Sequence, residues 1–394
     1  MTIPSSGSTQ DVASIAVSLR QAIDDAAEGL VDRATLVELI LLAAVAQEHV
    51  LVIGPPGTAK SVAVHRVAET IGGRYFEYLL GRFTEPNEIF GPVDLRKLKE
   101  GLVETETTGM LPEAEIAFLD EIFQGSTAIL NTLLGILNER EFRRGHTRMH
   151  CPLRVCVGAS NALPEDESLG AFADRFLVRI FVEPVADPML ERLLEGGWGL
   201  TQNPIQRQAT MGDIDRLAET VRQMDMAPVR GALSHALRIL RTAGVSLSDR
   251  RAVKAQFLIG AAAILGGRTV PSVADLWPLI FVVPTAQQQD IARESLRDLL
   301  ASTENATLPS AAEEASAGPM VRAMRLARAG KELLAAEPAE ADAAEEKAAW
   351  RLKLEGVLRE IDAGLAPEQR SEELEKVREA IGKNLAADPA RRNG

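Results

Sequence analysis

The chain has 394 residues, enough for two to three domains at roughly 150 residues each. Its net charge of −13 and pI near 5.1 argue against a nonspecific DNA coat protein or a polybasic membrane binder. Apolar residues at 46% and charged residues at 25% exclude collagen-like, disulfide-scaffold and wholly disordered classes, and 4% aromatics imply an aliphatic core.

Residues 1–11 are rich in Ser, Thr, Pro and Gly and carry no apolar stretch, so a disordered N-terminus without a signal peptide is expected. Residues 12–28 have helical spacing (Ile15, Leu19, Ile23), and 33–47 read as a second helix, strongly apolar on one side. Its run Leu39–Ala46 is the longest apolar one, too short for a transmembrane segment, so a cytoplasmic protein is expected. His49–Ile53 reads as a buried strand ending at Gly54 and Pro55. Similar runs recur at Tyr75–Leu79, Ile116–Leu119, Arg154–Gly158 and Val178–Val182, with helices between most of them, notably 60–71 and 125–138. Buried strands alternating with helices imply an α/β core whose parallel sheet is covered on both faces. Cys151 and Cys156, with only His150 beside them, do not make a zinc ligand set.

Beyond Pro204 no strand is evident as far as Leu300, which predicts a helical second domain over 205–300. Residues 301–394 are rich in Ala and charged residues, with Trp350 as the single aromatic. Trp350, Leu354, Val357, Ile361 and Leu365 make one apolar stripe, and Leu374, Val377, Ile381 and Leu385 another. With Pro367 between them they predict a helical hairpin, packed on the preceding domain or on a third helix near 320–336.

Gly54-Pro55-Pro56-Gly57-Thr58-Ala59-Lys60-Ser61, followed by Val62, lies between a predicted strand and a helix. Small residues let backbone N–H groups converge on phosphate oxygens at a helix N-terminus. Lys60 would reach the β- and γ-phosphates of ATP, and the Ser61 hydroxyl would ligate Mg2+. The pattern expects Gly where Ala59 stands; Ala tolerates right-handed helical backbone, so the change is harmless if Ala59 already belongs to the helix. Ile116–Leu119 delivers Asp120 and Glu121, adjacent carboxylates that call for a cation. Asp120 would hold the metal and Glu121 polarise the attacking water. Asn161, just past the strand that starts at Arg154, suits orienting that water or the γ-phosphate. Arg175, in Asp174-Arg175-Phe176, is a candidate arginine finger for a neighbouring subunit, with Arg179 as fallback. Ser248-Asp249-Arg250-Arg251 caps a helix of the second domain. Its arginines, Arg250 ahead of Arg251, would reach γ-phosphate and couple the domain's angle to nucleotide state.

These motifs occur in the order of an AAA+ ATPase. The stretches Gly54–Ser61, Arg82–Gly91, Phe118–Glu141 and Gly158–Ile180 resemble the MoxR family, most of all its RavA branch. The resemblance covers roughly residues 12–300. It implies an AAA+ αβα core over 12–204, with a helix-2 insert near 92–112 and a hairpin near 142–152, then an all-helical lid. It also implies a hexameric ring, a von Willebrand A domain partner and chaperone-like maturation of other protein complexes. RavA-type members carry a β-containing domain inserted in a helical one, whereas residues 302–394 read as wholly helical. The rival reading is a nucleic-acid motor or loader, because Arg140, Arg143, Arg144, His146 and Arg148 cluster in the predicted hairpin. The acidic net charge and the lack of a recognisable nucleic-acid module speak against it.

Overall fold

A computed structural model describes residues 6–200, 205–317, 319–336, 338, 344–364, 370 and 372–386. The chain forms two compact units, one of residues 1–183 and 203–316, the other of 184–202 and 317–394. The expected boundary at 204 lies outside the described residues.

The first unit opens with α1 (Ser6–Ala27) and α2 (Ala34–Ala46), so helix already begins within the segment expected to be disordered. There follow β1 (Val50–Ile53), α3 (Lys60–Ile71), β2 (Tyr75–Leu79), α4 (Pro86–Phe90), α5 (Leu95–Lys99) and β3 (Ile116–Asp120). Next come α6 (Thr127–Glu139), β4 (Glu141–Arg144), β5 (Thr147–His150), β6 (Val155–Ser160), α7 (Glu167–Ala173) and β7 (Val178–Phe181). After α8 (Leu190–Leu200), which belongs to the second unit, the lid follows as α9 (Met211–Gln223), α10 (Ala227–Thr242) and α11 (Asp249–Leu265). It continues with α12 (Leu279–Val282), α13 (Ala286–Ser295) and α14 (Arg297–Leu300), and no strand occurs among its described residues.

Five strands make a parallel sheet in the order β2-β3-β6-β1-β7, each pair joined by a crossover. Every residue of β1 and β6 is buried, because helices cover both faces. Leu51, Leu119, Ile129, Leu133, Phe142 and Phe176 belong to the core on one face. α2 covers the other, and Leu36–Ala46 are buried all round rather than on one side. The cause is a second partner: α11 and α9 of the lid pack against α2 as well.

The expected insert is a short bridge between Val93 and Thr105 enclosing α5. It docks on the β4–β5 hairpin: Val103 N donates to His146 Nδ1 at 3.0 Å, and Thr105 N to Thr147 Oγ1 at 2.7 Å.

Residues 301–316 belong with the core and lid, so the C-terminal region expected to start at 301 separates later. Asn305 Nδ2 donates to Ala262 O at 2.8 Å, and Thr307 Oγ1 to Leu265 O at 2.6 Å. The buried Glu38 carboxylate accepts from Ala311 N at 2.7 Å, near the start of α15 (Pro309–Ala317). A chain ending at Leu300 should therefore be less stable than one ending at Ser316, by about 3 kcal/mol from these hydrogen bonds and the buried Leu308. Chemical unfolding of the two truncations measures the difference.

The second unit is a bundle of α16 (Pro319–Ala335), α17 (Ala344–Gly364) and α18 (Glu372–Ala386). The two predicted stripes meet: Trp350, Leu354, Val357 and Ile361 pack with Leu374, Val377 and Ile381. α16 is the third helix, contributing Ala323, Leu326 and Ala327. Trp350 Nε1 donates to Leu333 O at 2.7 Å. Leu365 and Pro367 lie outside the described residues. Residues 184–202 join this bundle through Asp187, which abuts Gly356, and through a Lys353–Glu191 ion pair.

Candidate active site

The strand register gathers the candidate residues at one edge of the sheet. Ile53 aligns with Ser160, and Leu79 with Asp120, so Gly54, Asp120 and Asn161 leave the carboxyl ends of neighbouring strands together. Ligands of open α/β sheets bind in this position.

Gly54 starts the candidate phosphate loop, and nothing larger fits there: a Cβ would lie 2.2 Å from Val182 O. Gly57 turns the loop with φ of +77°. Thr58 Oγ1 closes it by donating to Pro55 O at 2.9 Å. Pro55, Pro56 and Gly57 form the exposed rim. α3 starts at Lys60, so the amides of Lys60, Ser61 and Val62 are first-turn donors without intrahelical acceptors.

Ala59 departs from expectation. It stands outside α3 with φ of 57° and ψ of 28°, the left-handed region. The loop needs that conformation to turn into the helix, and a side chain there costs roughly 1–2 kcal/mol. Ala59→Gly should relieve it, raising the unfolding midpoint of the first unit by roughly 1–2 °C after the added flexibility of the unfolded chain is subtracted. Calorimetric unfolding checks this.

Lys60 is buried, and its Nζ donates to Gly54 O at 2.7 Å and Pro55 O at 2.9 Å. Burial lowers its pKa, while the charges of Asp120 and Glu121 act in the opposite sense. Both carboxylates thus lie close enough for their charge to be felt at the ammonium. Asp120 Oδ1 accepts from Glu121 N at 3.0 Å. Glu121 is itself left-handed, at φ of 48°, and Asn161 Nδ2 donates to its Oε1 at 2.9 Å. Strained backbone of this kind concentrates at functional sites. Asn161 thus holds the carboxylate expected to act on water.

Phosphate fits the amide cradle and Lys60. For a metal, Ser61 and Asp120 offer hard oxygen donors. Among the described residues no group of three or more His, Cys, Asp or Glu side chains is assembled to hold a metal. A cation here would be completed by phosphate oxygens and water, which suits Mg2+.

The remaining candidates gather at the other end of the strands. Arg175 precedes β7, and its buried Nε has no hydrogen-bond partner. Asp174 pairs not with Arg175 but with Arg251, at 3.0 Å. Arg251 is 1% exposed and also donates to Val282 O, Phe176 O and Leu177 O, which fastens α11 to the start of β7. Arg250 bonds Asn138 Oδ1 at the end of α6 and lies close enough to Arg175 for that charge to lower its pKa, after burial. Within one chain the lid arginines are therefore remote from Lys60, because α11 docks its first turn on the amino ends of the strands. Arg179 is buried, bonded to Ala173 O, and pushed down to about 9 by burial, which removes it as an alternative finger.

The basic hairpin is internally engaged. Arg143 and Arg148 pair with Glu141, Arg144 donates to Gly91 O, and His146 accepts from Val103 N. Arg140 is turned inward to Leu137 O and Gln47 O. Of the cluster that suggested a polyanion track, Arg140 is thus committed to structure, and the exposed Arg143 and Arg148 share the charge of Glu141.

Sequence reasoning passed over Arg33, which is buried and donates from Nε to Thr58 O of the phosphate loop at 2.8 Å. Its one signal is a lone cation directly before the apolar run of α2.

A family profile for the MoxR domain of MoxR-vWA-beta-propeller ternary systems matches residues 17–220, just over half of the chain. The chain belongs to this MoxR family of AAA+ proteins. An uncharacterised protein of Methanocaldococcus jannaschii is 35% identical over 62% of this chain and 64% of its own length. The chaperone MoxR1 of Mycobacterium tuberculosis is 28% identical over 54% of this chain and 56% of its own. The chain thus spans less than two thirds of the curated relatives it matches. A crystal structure of a Cytophaga hutchinsonii protein assigned as an ATPase superposes with a TM-score of 0.60 at 15% identity. It covers 75% of this chain and 97% of that one, a likeness of fold. No helix among the described residues is long and apolar enough to cross a membrane.

Proposed function

We propose that this chain hydrolyses ATP with Mg2+ as a subunit of a hexameric ring that remodels other protein complexes in the cytoplasm, together with a von Willebrand A domain partner. The observation that carries the reading is the convergence of the Gly54–Val62 loop, Lys60, Asp120, Glu121 and Asn161 at one strand edge. Lys60 would exchange its bonds to Gly54 and Pro55 for phosphate oxygens. Ser61 and Asp120 would hold Mg2+, which neutralises phosphate charge when bound. Glu121, held by Asn161, would orient and deprotonate the attacking water. Arg175 and Arg250 would complete the site of a neighbouring subunit. The partner is supported by the family's name and the remodelling role by the relative named a chaperone. A nearer kinship with RavA rests on the motif stretches alone.

Lys60→Ala should abolish measurable nucleotide binding by calorimetry while the circular dichroism spectrum stays unchanged. Retained ATP affinity would contradict the phosphate-loop assignment.

A further inference from the structure

Arg33 enters the first unit at the turn before α2, 4% exposed, with its guanidinium spread over three segments. Nε donates to Thr58 O in the phosphate loop, Nη1 to Asp32 O in its own turn, and Nη2 to Glu183 O just past β7, each at 2.8 Å. The cost of burying a guanidinium is large unless its donors are matched. Here three carbonyls take three of its five N–H groups, and the charge of Asp32 partly offsets the effect of burial. The side chain is therefore built into this place rather than left there.

We propose that Arg33 is a positioning residue of the phosphate loop, fixing the Thr58–Ala59 peptide so that the Ala59 N–H is presented to the β-phosphate. The inference rests on the reading of Gly54–Val62 as a nucleotide site. The peptide is trans, as every described peptide bond is. In a trans peptide the C=O and the following N–H point in opposite directions. Holding Thr58 O toward Arg33 turns the Ala59 N–H away from it. No protein acceptor takes that N–H among the described residues.

The need for such a clasp follows from Ala59. Glycine would take the left-handed conformation without penalty, whereas alanine at φ of 57° takes it at a cost of roughly 1–2 kcal/mol. The loop conformation must be imposed from outside, and Arg33 grips the carbonyl next to the strained residue. The charge of Arg33 is also felt at Lys60, whose pKa it helps to lower. Two cations thus stand behind the loop, one toward the cradle and one behind its backbone. Lysine could not substitute: its single ammonium cannot span Thr58 O, Asp32 O and Glu183 O in one plane.

The test uses the full chain and the variants Arg33→Lys, Ala59→Gly and the double variant. Calorimetry gives the ADP affinity, and competition against a fluorescent ADP analogue gives the AMP affinity. Arg33→Lys should weaken ADP tenfold or more and AMP less than twofold, because AMP places no β-phosphate in the cradle. Adding Ala59→Gly should restore at least a third of the lost ADP affinity on a logarithmic scale, since glycine needs no clasp. Equal loss for ADP and AMP, no loss for ADP, or no recovery with glycine would overturn the positioning role. If the unsubstituted chain binds no ADP, the nucleotide reading falls and this inference with it.

Discussion

Glu121→Gln should bind ATP with unchanged affinity and turn it over about 10²–10⁴-fold more slowly. The amide keeps the shape of the carboxylate and can still accept from Asn161 Nδ2 through its oxygen, now 2.9 Å from Glu121. It cannot take a proton from water. The backbone at Glu121 is left-handed, and the Asp120 carboxylate that bonds its N–H is untouched, so the metal donor should stay in place. Phosphate release measured at saturating ATP, with nucleotide affinity measured separately, distinguishes lost chemistry from lost binding. A variant hydrolysing at the native rate would assign the water to another residue. Asn161→Ala should show a smaller loss in the same assay, because it frees the carboxylate without removing it.

Arg175→Ala should leave nucleotide affinity and fold intact and depress turnover strongly. In GTPase systems a finger contributes roughly 10³–10⁵ in rate. A smaller loss is expected here because Arg250, close enough to Arg175 to feel its charge, would share the task. The fold should persist because the neighbouring Asp174 is already paired with Arg251. Arg251→Ala supplies the contrast. It would unpair Asp174 and strip bonds from Phe176, Leu177 and Val282, at a cost of about 3–5 kcal/mol. Two neighbouring arginines should thus differ in kind: replacing Arg250 should leave stability nearly unchanged, and replacing Arg251 should not. Thermal midpoints alongside turnover rates separate them.

Much of this could be read from the sequence, and particular residues mark where reading stopped. β1, β3 and β6 fall where apolar runs of four to six residues end in Gly, Asp-Glu or Ser-Asn, since a buried parallel strand leaves no polar residue until its carboxyl end, while the edge strands β2 and β7 carry Glu77 and Arg179 within their runs. The stripes through Trp350 and Leu374 were legible because a bundle helix hides only one face. α2 was legible as a helix but not as one buried on every side, because the lid helices that cover its second side lie far along the chain. Ala59 misled because residue type reports what conformation is cheap, not what the loop requires. The place of Arg250 depends on where α11 docks, which is set by Arg251 and Asp174, far apart in the chain. Arg33 was invisible for the same reason: its three acceptors lie at positions 32, 58 and 183.

The central claim is that hydrolysis happens between subunits, with Lys60 and Glu121 from one chain and Arg175 from the next. The strand edges separate these groups by the length of β1, roughly 13 Å for its four residues. The direct measurement is phosphate release from a mixture of Arg175→Ala and Glu121→Gln chains, each nearly inactive alone. Some interfaces of a mixed ring pair an intact Glu121 with an intact Arg175, so the mixture should hydrolyse ATP well above the sum of its components. The specific activity of the unsubstituted chain should likewise rise with its concentration through the assembly range. A mixture no more active than its separate components, with native activity independent of concentration, would make Arg175 a structural residue and contradict the shared site.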